Sequence, residues 1–276
     1  MRMVSSEAAC IMAAMVLAVG TRHTHGQECI GEGERLLDRR EYKKAIMALQ
    51  KCEEQAGAAA LLGKAYYGMN YFEEAKTYLK DALEESPGNL ELKIMHGGAL
   101  ARNKEFKKAV AEFEKLAAEH PDNIEIKREH ARALGWNKQY DKAIALYEKM
   151  REENPEDYAS WVQIGVLTSW DKHFKEAEEI FASIIAADPP PRWKVQARLH
   201  LAEVLGWHKK FDKAIAQFDK VLAEDATRVE AYLGKGEVLE WQGAYREAKK
   251  QYEKALSVDP GNRNAKARLE QLMWVK

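Results

Sequence analysis

The sequence predicts an all-α fold of seven helix hairpins, because one pattern recurs along its 276 residues with a period near 34. Each copy contains an aromatic residue, two variable residues and an alanine. The alanines are Ala45, Ala75, Ala109, Ala143, Ala177, Ala214 and Ala248, with separations of 30, 34, 34, 34, 37 and 34 residues. The longest interval contains Pro189-Pro190-Pro191, which indicates a three-residue insertion in a loop.

Three further positions around each alanine predict that each copy folds as a helix pair. A large side chain follows the alanine by four residues, and a small residue precedes it by twelve, where two helices must approach closely. The small residues are Gly33, Gly63, Gly97, Ala131, Gly165, Ala202 and Gly236. Twelve residues after the alanine, a proline ends the second helix in five copies. Asn103, Asn137 and Asp171 occupy turns, and residues of these types tolerate left-handed geometry and cap helices.

These marks together resemble the tetratricopeptide repeat, and the resemblance covers about residues 26–262. The resemblance implies a right-handed α-solenoid. The segment from Arg263 to Trp274 predicts one further helix, with Ala265, Leu269 and Leu272 on one side, which would act as the solvating cap of the array. We therefore expect a leader over 1–25, seven repeats over 26–262 and a capping helix over 263–276.

Composition and the N-terminal segment restrict the possible functions. Lysine and arginine number 43 against 44 acidic residues, so bulk charge favours neither a nucleic-acid groove nor an acidic tail. The apolar run Ala8–Gly20 follows Arg2 and is too short to cross a bilayer, but it has the length of a secretory signal. This predicts a periplasmic or secreted protein with no transmembrane span after leader removal. The alternative is an unstructured apolar leader.

The cysteines fit an oxidising compartment. Removal of the leader would remove Cys10 and leave Cys29 and Cys52 as a pair. Cys29 lies early in the first helix of repeat 1 and Cys52 late in its second helix, and antiparallel helices bring those ends together. We expect a disulfide between them; the alternative is two buried apolar thiols.

Four tryptophans occupy one repeat position on a polar face of the first helices. They are Trp136, Trp170, Trp207 and Trp241, and the polar residues beside them are Arg128, Arg132, Gln163, His200, Glu203 and Glu237. Indoles beside hydrogen-bonding groups suit sugar rings, aromatic or proline-rich peptides and cations, which predicts a ligand-binding groove. The alternative is that each tryptophan packs against the first helix of the next repeat and belongs to the interior.

The repeats around Leu134–Ala143 and Leu205–Ala214 are similar to those of bacterial periplasmic tetratricopeptide proteins, including ones attached to exopolysaccharide export. This resemblance implies an exported, non-enzymatic scaffold or adaptor that binds a protein or peptide in its concave groove within a cell-envelope assembly. The alternative is a polysaccharide-binding subunit of an exopolysaccharide synthesis or export system. We expect no cofactor, no metal and no nucleic-acid partner.

The sequence lacks the residues of two other activities. The cytosolic chaperone-binding members of the family clamp a carboxylate with Lys, Asn and Arg, and the matching positions here are Ile30, Glu34, Leu61, Met95 and Gly98. No glycine-rich phosphate loop, serine nucleophile elbow or His-Glu-x-x-His motif is present. His200 and Glu203 are one turn apart, which is more typical of a surface hydrogen bond than of half a metal site.

Overall fold

The computed structural model describes residues 27–272, and this range consists of helices joined by short turns, with no β-strand. The predicted leader and Cys10 lie outside the described residues, as does Trp274. Helix α1 covers residues 27–38. The helices that follow are α2 (Tyr42–Leu49, continued by a 3-10 turn, Gln50–Cys52), α3 (Ala58–Gly68), α4 (Phe72–Glu85), α5 (Leu90–Arg102), α6 (Phe106–Glu119), α7 (Ile124–Trp136), α8 (Tyr140–Glu153), α9 (Tyr158–Trp170), α10 (Phe174–Ala186), α11 (Pro191–Trp207), α12 (Phe211–Glu224), α13 (Val229–Trp241), α14 (Tyr245–Val258) and α15 (Arg263–Leu272). The chain is an all-α repeat solenoid, as predicted.

The chain divides into two units, which meet in sequence between Asn137 and Lys138. In the first unit the buried core includes Leu49, Leu79 and Phe113 from successive second helices. In the second unit Phe181 and Phe218 occupy the same repeat position and are buried. Each unit therefore buries one large residue per repeat at the position four residues after the recurring alanine.

The small residues allow the close helix contacts that the sequence predicts. A Cβ atom added to Gly97 would lie 2.9 Å from the Phe113 ring, and one added to Gly165 would lie 2.7 Å from the Phe181 ring. Both distances are well below the 3.5–4.0 Å of an ordinary carbon–carbon contact. The two helices of a repeat can therefore pack at this distance only because the side chain is absent.

Side-chain caps begin several first helices two residues after the proline. Asn89 accepts a hydrogen bond from the Leu92 amide at 3.2 Å, and Asn123 accepts one from the Ile126 amide at 3.1 Å. Asp157 does the same for the Ser160 amide at 3.1 Å. Each cap satisfies an amide that has no partner within its own helix. The proline therefore ends one helix, and the cap that follows it starts the next.

In three hairpin turns the predicted residue, Asn103, Asn137 or Asp171, is the helix cap, and the residue after it is left-handed. Asn103 has φ of −80°, and the left-handed residue is Lys104, with φ of 65°. Asn137 and Asp171 likewise precede the left-handed residues Lys138 and Lys172.

Hydrogen bonds at the helix end explain why the left-handed residue comes directly after the cap. The Glu105 amide donates to the Leu100 carbonyl at 2.9 Å, and the Lys104 amide donates to the Ala101 carbonyl at 3.1 Å. This Schellman arrangement places the left-handed residue one position beyond the helix cap. Asn103, Asn137 and Asp171 therefore cap their helices, as such residue types commonly do, and the lysine that follows each of them takes the left-handed conformation.

The three-residue insertion also differs from the prediction. The connection between α10 and α11 has four residues, the same number as the connection between α12 and α13. The added length appears in α11, which has 17 residues, whereas α13 has 13. Pro191 is the first residue of α11, where its missing amide costs no helical hydrogen bond. The insertion therefore lengthens a helix by about one turn and leaves the loop unchanged.

The two ends of the described chain differ in how they are held. Cys29 and Cys52 form a disulfide that joins α1 to the end of the first hairpin, with Cα atoms 6.4 Å apart. At the other end, α15 buries Ala265 and Leu272. Arg268 of this helix forms a 2.7 Å ion pair with Glu237 of α13.

Candidate functional site

Three of the predicted tryptophans form an exposed row in the second unit. Trp170, Trp207 and Trp241 are the last residues of α9, α11 and α13, and their exposed fractions are 44%, 41% and 46%. Helix α11 contacts both α9 and α13, so the three side chains lie on the first helices of successive repeats. We call this surface the tryptophan face. Large aromatic side chains exposed in this way commonly mark interaction surfaces.

Two of the three rings contact the preceding repeat. The Trp207 ring lies 6.4 Å from the ring of Phe174, which begins α10. A Cβ atom added to Gly206 would lie 2.8 Å from the Trp241 ring, so Trp241 lies directly against α11. These contacts lie on the preceding repeat, whereas the alternative expectation placed the contacts of the tryptophans on the following one. Trp207 and Trp241 therefore pack against the stack with one part of the ring and leave another part open.

Polar groups accompany the open indoles. His200 and Glu203 are paired through Nδ1 and Oε2 at 3.0 Å, and the His200 ring stacks on Phe181 with centroids 5.6 Å apart. Glu237 precedes Trp241 by four residues, as Glu203 precedes Trp207, which places each carboxylate one helical turn from an indole. Gln163 is half-buried on α9. Within residues 27–272 no group of three or more His, Cys, Asp or Glu side chains is arranged to hold a metal ion.

A cleft of about 560 Å³ lies near the N-terminal ends of α11 and α13, away from Trp207 and Trp241. The additional turn of α11 forms one wall, and the connection between α12 and α13 forms the other. The lining residues are Pro191, Arg192, Val195, Gln196, Leu199, Glu224, Asp225, Arg228 and Glu230. Arg228 and Asp225 form an ion pair at 3.1 Å. The sequence analysis missed this cleft because it assigned the proline insertion to a loop.

The other predicted site residues belong to the first unit and are more occupied. Trp136 is half-buried, and its ring lies 6.4 Å from the ring of Phe106 in the preceding repeat. Arg132 forms an ion pair with Glu129. Arg128 is half-buried. The four predicted tryptophans are thus divided between the units, one in the first and three in the second.

A cluster that the sequence analysis did not identify surrounds Arg102 in the first unit. Its guanidinium carbon lies 5.3 Å from the Tyr67 ring centroid and 5.9 Å from those of Phe72 and Trp136. Nη1 of Arg102 lies 3.9 Å from Oε2 of Glu129. Burial raises the pKa of the Tyr67 hydroxyl, and the charge of Arg102 opposes this rise. The available signal was that Arg102 occupies the repeat position of the later tryptophans.

The fold is a repeat solenoid, and its row of exposed indoles is a candidate interaction surface. The tetratricopeptide repeat family profile matches residues 69–133, 137–205 and 208–272. The chain belongs to the tetratricopeptide repeat family. A search of curated proteins gives no significant match.

A solved structure shows the same fold. A tetratricopeptide repeat protein from Parabacteroides merdae is 19% identical, with a TM-score of 0.73 over 91% of this chain and 99% of that one. Two other solved structures are less similar. YrrB, described as having an unusual peptide-binding site, is 17% identical with a TM-score of 0.44 over 70% and 97% of the two chains. Human IFIT1 bound to m7Gppp-AAAA is 18% identical, with a TM-score of 0.48 over 87% of this chain and 62% of that one.

No helix within residues 27–272 has both the length and the apolar character needed to cross a bilayer.

Proposed function

We propose that this protein is a non-enzymatic scaffold whose tryptophan face binds an extended segment of a protein partner within a cell-envelope assembly. The tetratricopeptide repeat fold is consistent with a protein-interaction scaffold. The observation that carries the proposal is the row of Trp170, Trp207 and Trp241, each more than two-fifths exposed at the end of the first helix of its repeat. Burying such rings under a partner would remove apolar area from water and stabilise the complex.

The cleft and the tryptophan face together suggest how the partner lies. Gln196 at the cleft and Trp207 on the tryptophan face are eleven residues apart on α11. At 1.5 Å per residue this is about 16 Å, the length of roughly five residues of extended chain. Leu199 and Leu233 are half-buried on α11 and α13 between the two ends. An extended segment along α11 would therefore contact apolar side chains between the cleft and the tryptophan face.

Isothermal titration of the purified chain with two panels tests the proposal. One panel contains extended nine-residue peptides of differing charge and aromatic content, and the other contains neutral and uronate oligosaccharides. We expect peptide binding that the Trp241→Leu substitution weakens by about tenfold, as expected for a buried aromatic contact. Met47→Ala, which removes an exposed apolar side chain of the first unit, is the control and should leave binding unchanged. Absence of peptide binding, or equal binding by Trp241→Leu, would contradict the proposal.

Polysaccharide binding is the second candidate, because a row of open indoles with nearby hydrogen-bonding groups also suits sugar rings. Its acidic-sugar form is less favoured, since Arg132 is already paired with Glu129 in the first unit. Binding of oligosaccharides but not peptides in the same titration would select this candidate.

We also propose that the protein is exported to the periplasm or secreted. The Cys29–Cys52 disulfide supports this location, because such bonds persist in oxidising compartments. The N-terminal sequence and intact mass of the protein recovered from its native cells test it. A mature chain that begins near residue 26 and carries the disulfide is expected, and an unprocessed chain with free thiols would contradict export.

A further inference from the structure

The described tryptophans fall into two groups according to whether a guanidinium covers them. Three are covered by an arginine of this chain: Trp136 by Arg102 at 5.9 Å, Trp161 by Arg151 at 4.0 Å and Trp193 by Arg192 at 4.8 Å, measured to the ring centroids. The remaining three are Trp170, Trp207 and Trp241. In the part of the chain that the structure describes, no arginine or lysine lies over any of these three rings.

The Arg102 cluster shows what a complete site of this type contains. Its guanidinium is shared between aromatic rings, of which Trp136 is one, and the carboxylate of Glu129 at 3.9 Å. A guanidinium suits this combination because its flat face stacks on a ring while its edge donates hydrogen bonds to a carboxylate. The first unit thus fills its site with its own arginine.

The tryptophan face also presents an indole and a carboxylate on one helix, at a different spacing and without an arginine over the ring. Glu203 lies one turn before Trp207 on α11, and its side chain is 45% exposed. Its described partner is His200 on the same helix, so no arginine or lysine of the described chain neutralises it. Near Trp241, Glu237 is already paired with Arg268. The more available of the two carboxylate–indole pairs is therefore Glu203 with Trp207.

We propose that the segment bound by the tryptophan face is cationic and presents an arginine side chain to Trp207 and Glu203. This inference rests on the proposed function and specifies its partner. The indole binds the face of the guanidinium, and the Glu203 carboxylate accepts its N–H groups. Lysine binds less well because its ammonium is compact and strongly hydrated, and glutamate is repelled by Glu203. The cleft at the other end of the path is lined by Glu230 and by the cations Arg192 and Arg228, so the arginine preference is assigned to Trp207 and Glu203 alone.

Four nine-residue peptides that differ only at alternate positions test the inference by titration of the full chain. These positions carry arginine, lysine, citrulline or glutamate. Citrulline has nearly the shape of arginine but no charge, so it isolates the contribution of the charge. We expect the arginine peptide to bind about tenfold more tightly than the citrulline peptide. Lysine should be intermediate, glutamate weakest, and the arginine preference should decrease as sodium chloride is raised.

Two substitutions and one matched control test whether the preference for arginine arises at Glu203 and Trp207. Glu203→Gln removes the charge without removing buried apolar surface, and it should reduce the ratio of arginine to citrulline affinity several-fold. Glu179→Gln makes the same charge change at an exposed position of α10 and should leave the ratio unchanged. Trp207→Leu should weaken the arginine peptide further, and its thermal melt, followed by circular dichroism, shows whether the loss of the Phe174 contact has unfolded the repeat.

The outcomes separate this inference from the proposed function. Equal affinity for the arginine and citrulline peptides, with both weakened by Trp241→Leu, overturns the cationic partner and leaves peptide binding intact. An arginine preference that Glu203→Gln does not change overturns the assignment to this site. Absence of binding by every peptide overturns both the inference and the proposed function.

Discussion

Two glycines of α1 should respond in opposite ways to the same substitution. An alanine Cβ at Gly33 would lie 2.4 Å from Leu49 Cδ2 and 2.6 Å from its Cγ, whereas nothing lies within 4 Å of a Cβ at Gly31. Leu49 is fully buried, so it cannot move aside into solvent. Relief of the contact requires a shift of about 1 Å, because carbon atoms normally approach to 3.5–4.0 Å.

The expected magnitudes follow from two opposing contributions. Replacing glycine by alanine inside a helix stabilises by about 0.8–1 kcal/mol, and this gain applies to both positions. Overpacking of a buried contact costs about 1–3 kcal/mol and applies only at Gly33. Gly31→Ala should therefore raise the free energy of unfolding by up to about 1 kcal/mol, and Gly33→Ala should lower it by about 1 kcal/mol. The difference between the variants isolates the contact with Leu49.

Hydrogen exchange of residues 27–52, together with urea unfolding, measures both effects, because an edge repeat can open without the rest of the array. Leu49→Ala combined with Gly33→Ala provides a further control. The double variant should lose at least about 1 kcal/mol less than the sum of the single losses, since the alanine then has room. Equal effects of Gly31→Ala and Gly33→Ala, or additive losses in the double variant, would refute the predicted close contact of α1 and α2.

Three other measurements test the hairpin turn, the disulfide and the surface charges. Gly243→Ala places a side chain on a residue with φ of 83° and should destabilise by about 1–2 kcal/mol in urea unfolding; an unchanged midpoint would contradict the turn. Cys52→Ser opens a link to Cys29 across 23 positions and should lower the stability of the first hairpin by about 3 kcal/mol, and unchanged hydrogen exchange there would count against it. Hydrogen bonds from Lys108, Lys76 and Asn103 lower the pKa of Glu105 from 4.5 to about 2, so the stability it contributes is present above pH 4.5 and is lost as the pH falls toward 2. Glu105→Gln should flatten this acid-induced loss, and an identical pH profile would exclude the carboxylate as its source.

Residue types at fixed spacings were sufficient to predict the structure wherever a residue type has a single physical role. The alanine period, the small residues and the prolines predicted the hairpins, because close packing and the missing proline amide act within one repeat. The same spacing rules placed Asn103 at the turn as a capping residue but did not show that the Schellman hydrogen bonds give the left-handed conformation to Lys104. They also failed at Pro191, since the number of inserted residues does not reveal whether a loop or a helix receives them.

The candidate site shows a similar division. The repeat position of Trp170, Trp207 and Trp241 predicted a polar face, and the structure leaves all three rings partly exposed. Periodicity alone did not distinguish these from Trp136, which is half-buried under Arg102. The difference depends on which side chain the neighbouring repeat supplies, and that pairing joins residues about 34 positions apart.

By itself the sequence determined the class of fold, the number of repeats and the helix faces that carry the indoles, because these depend on spacing within a helix and between adjacent helices. Only the tertiary structure decided which indoles remain open, which arginines are already paired and where the cleft lies. Those properties depend on the packing of side chains from different repeats, and a one-dimensional pattern contains the positions of those side chains but not their contacts.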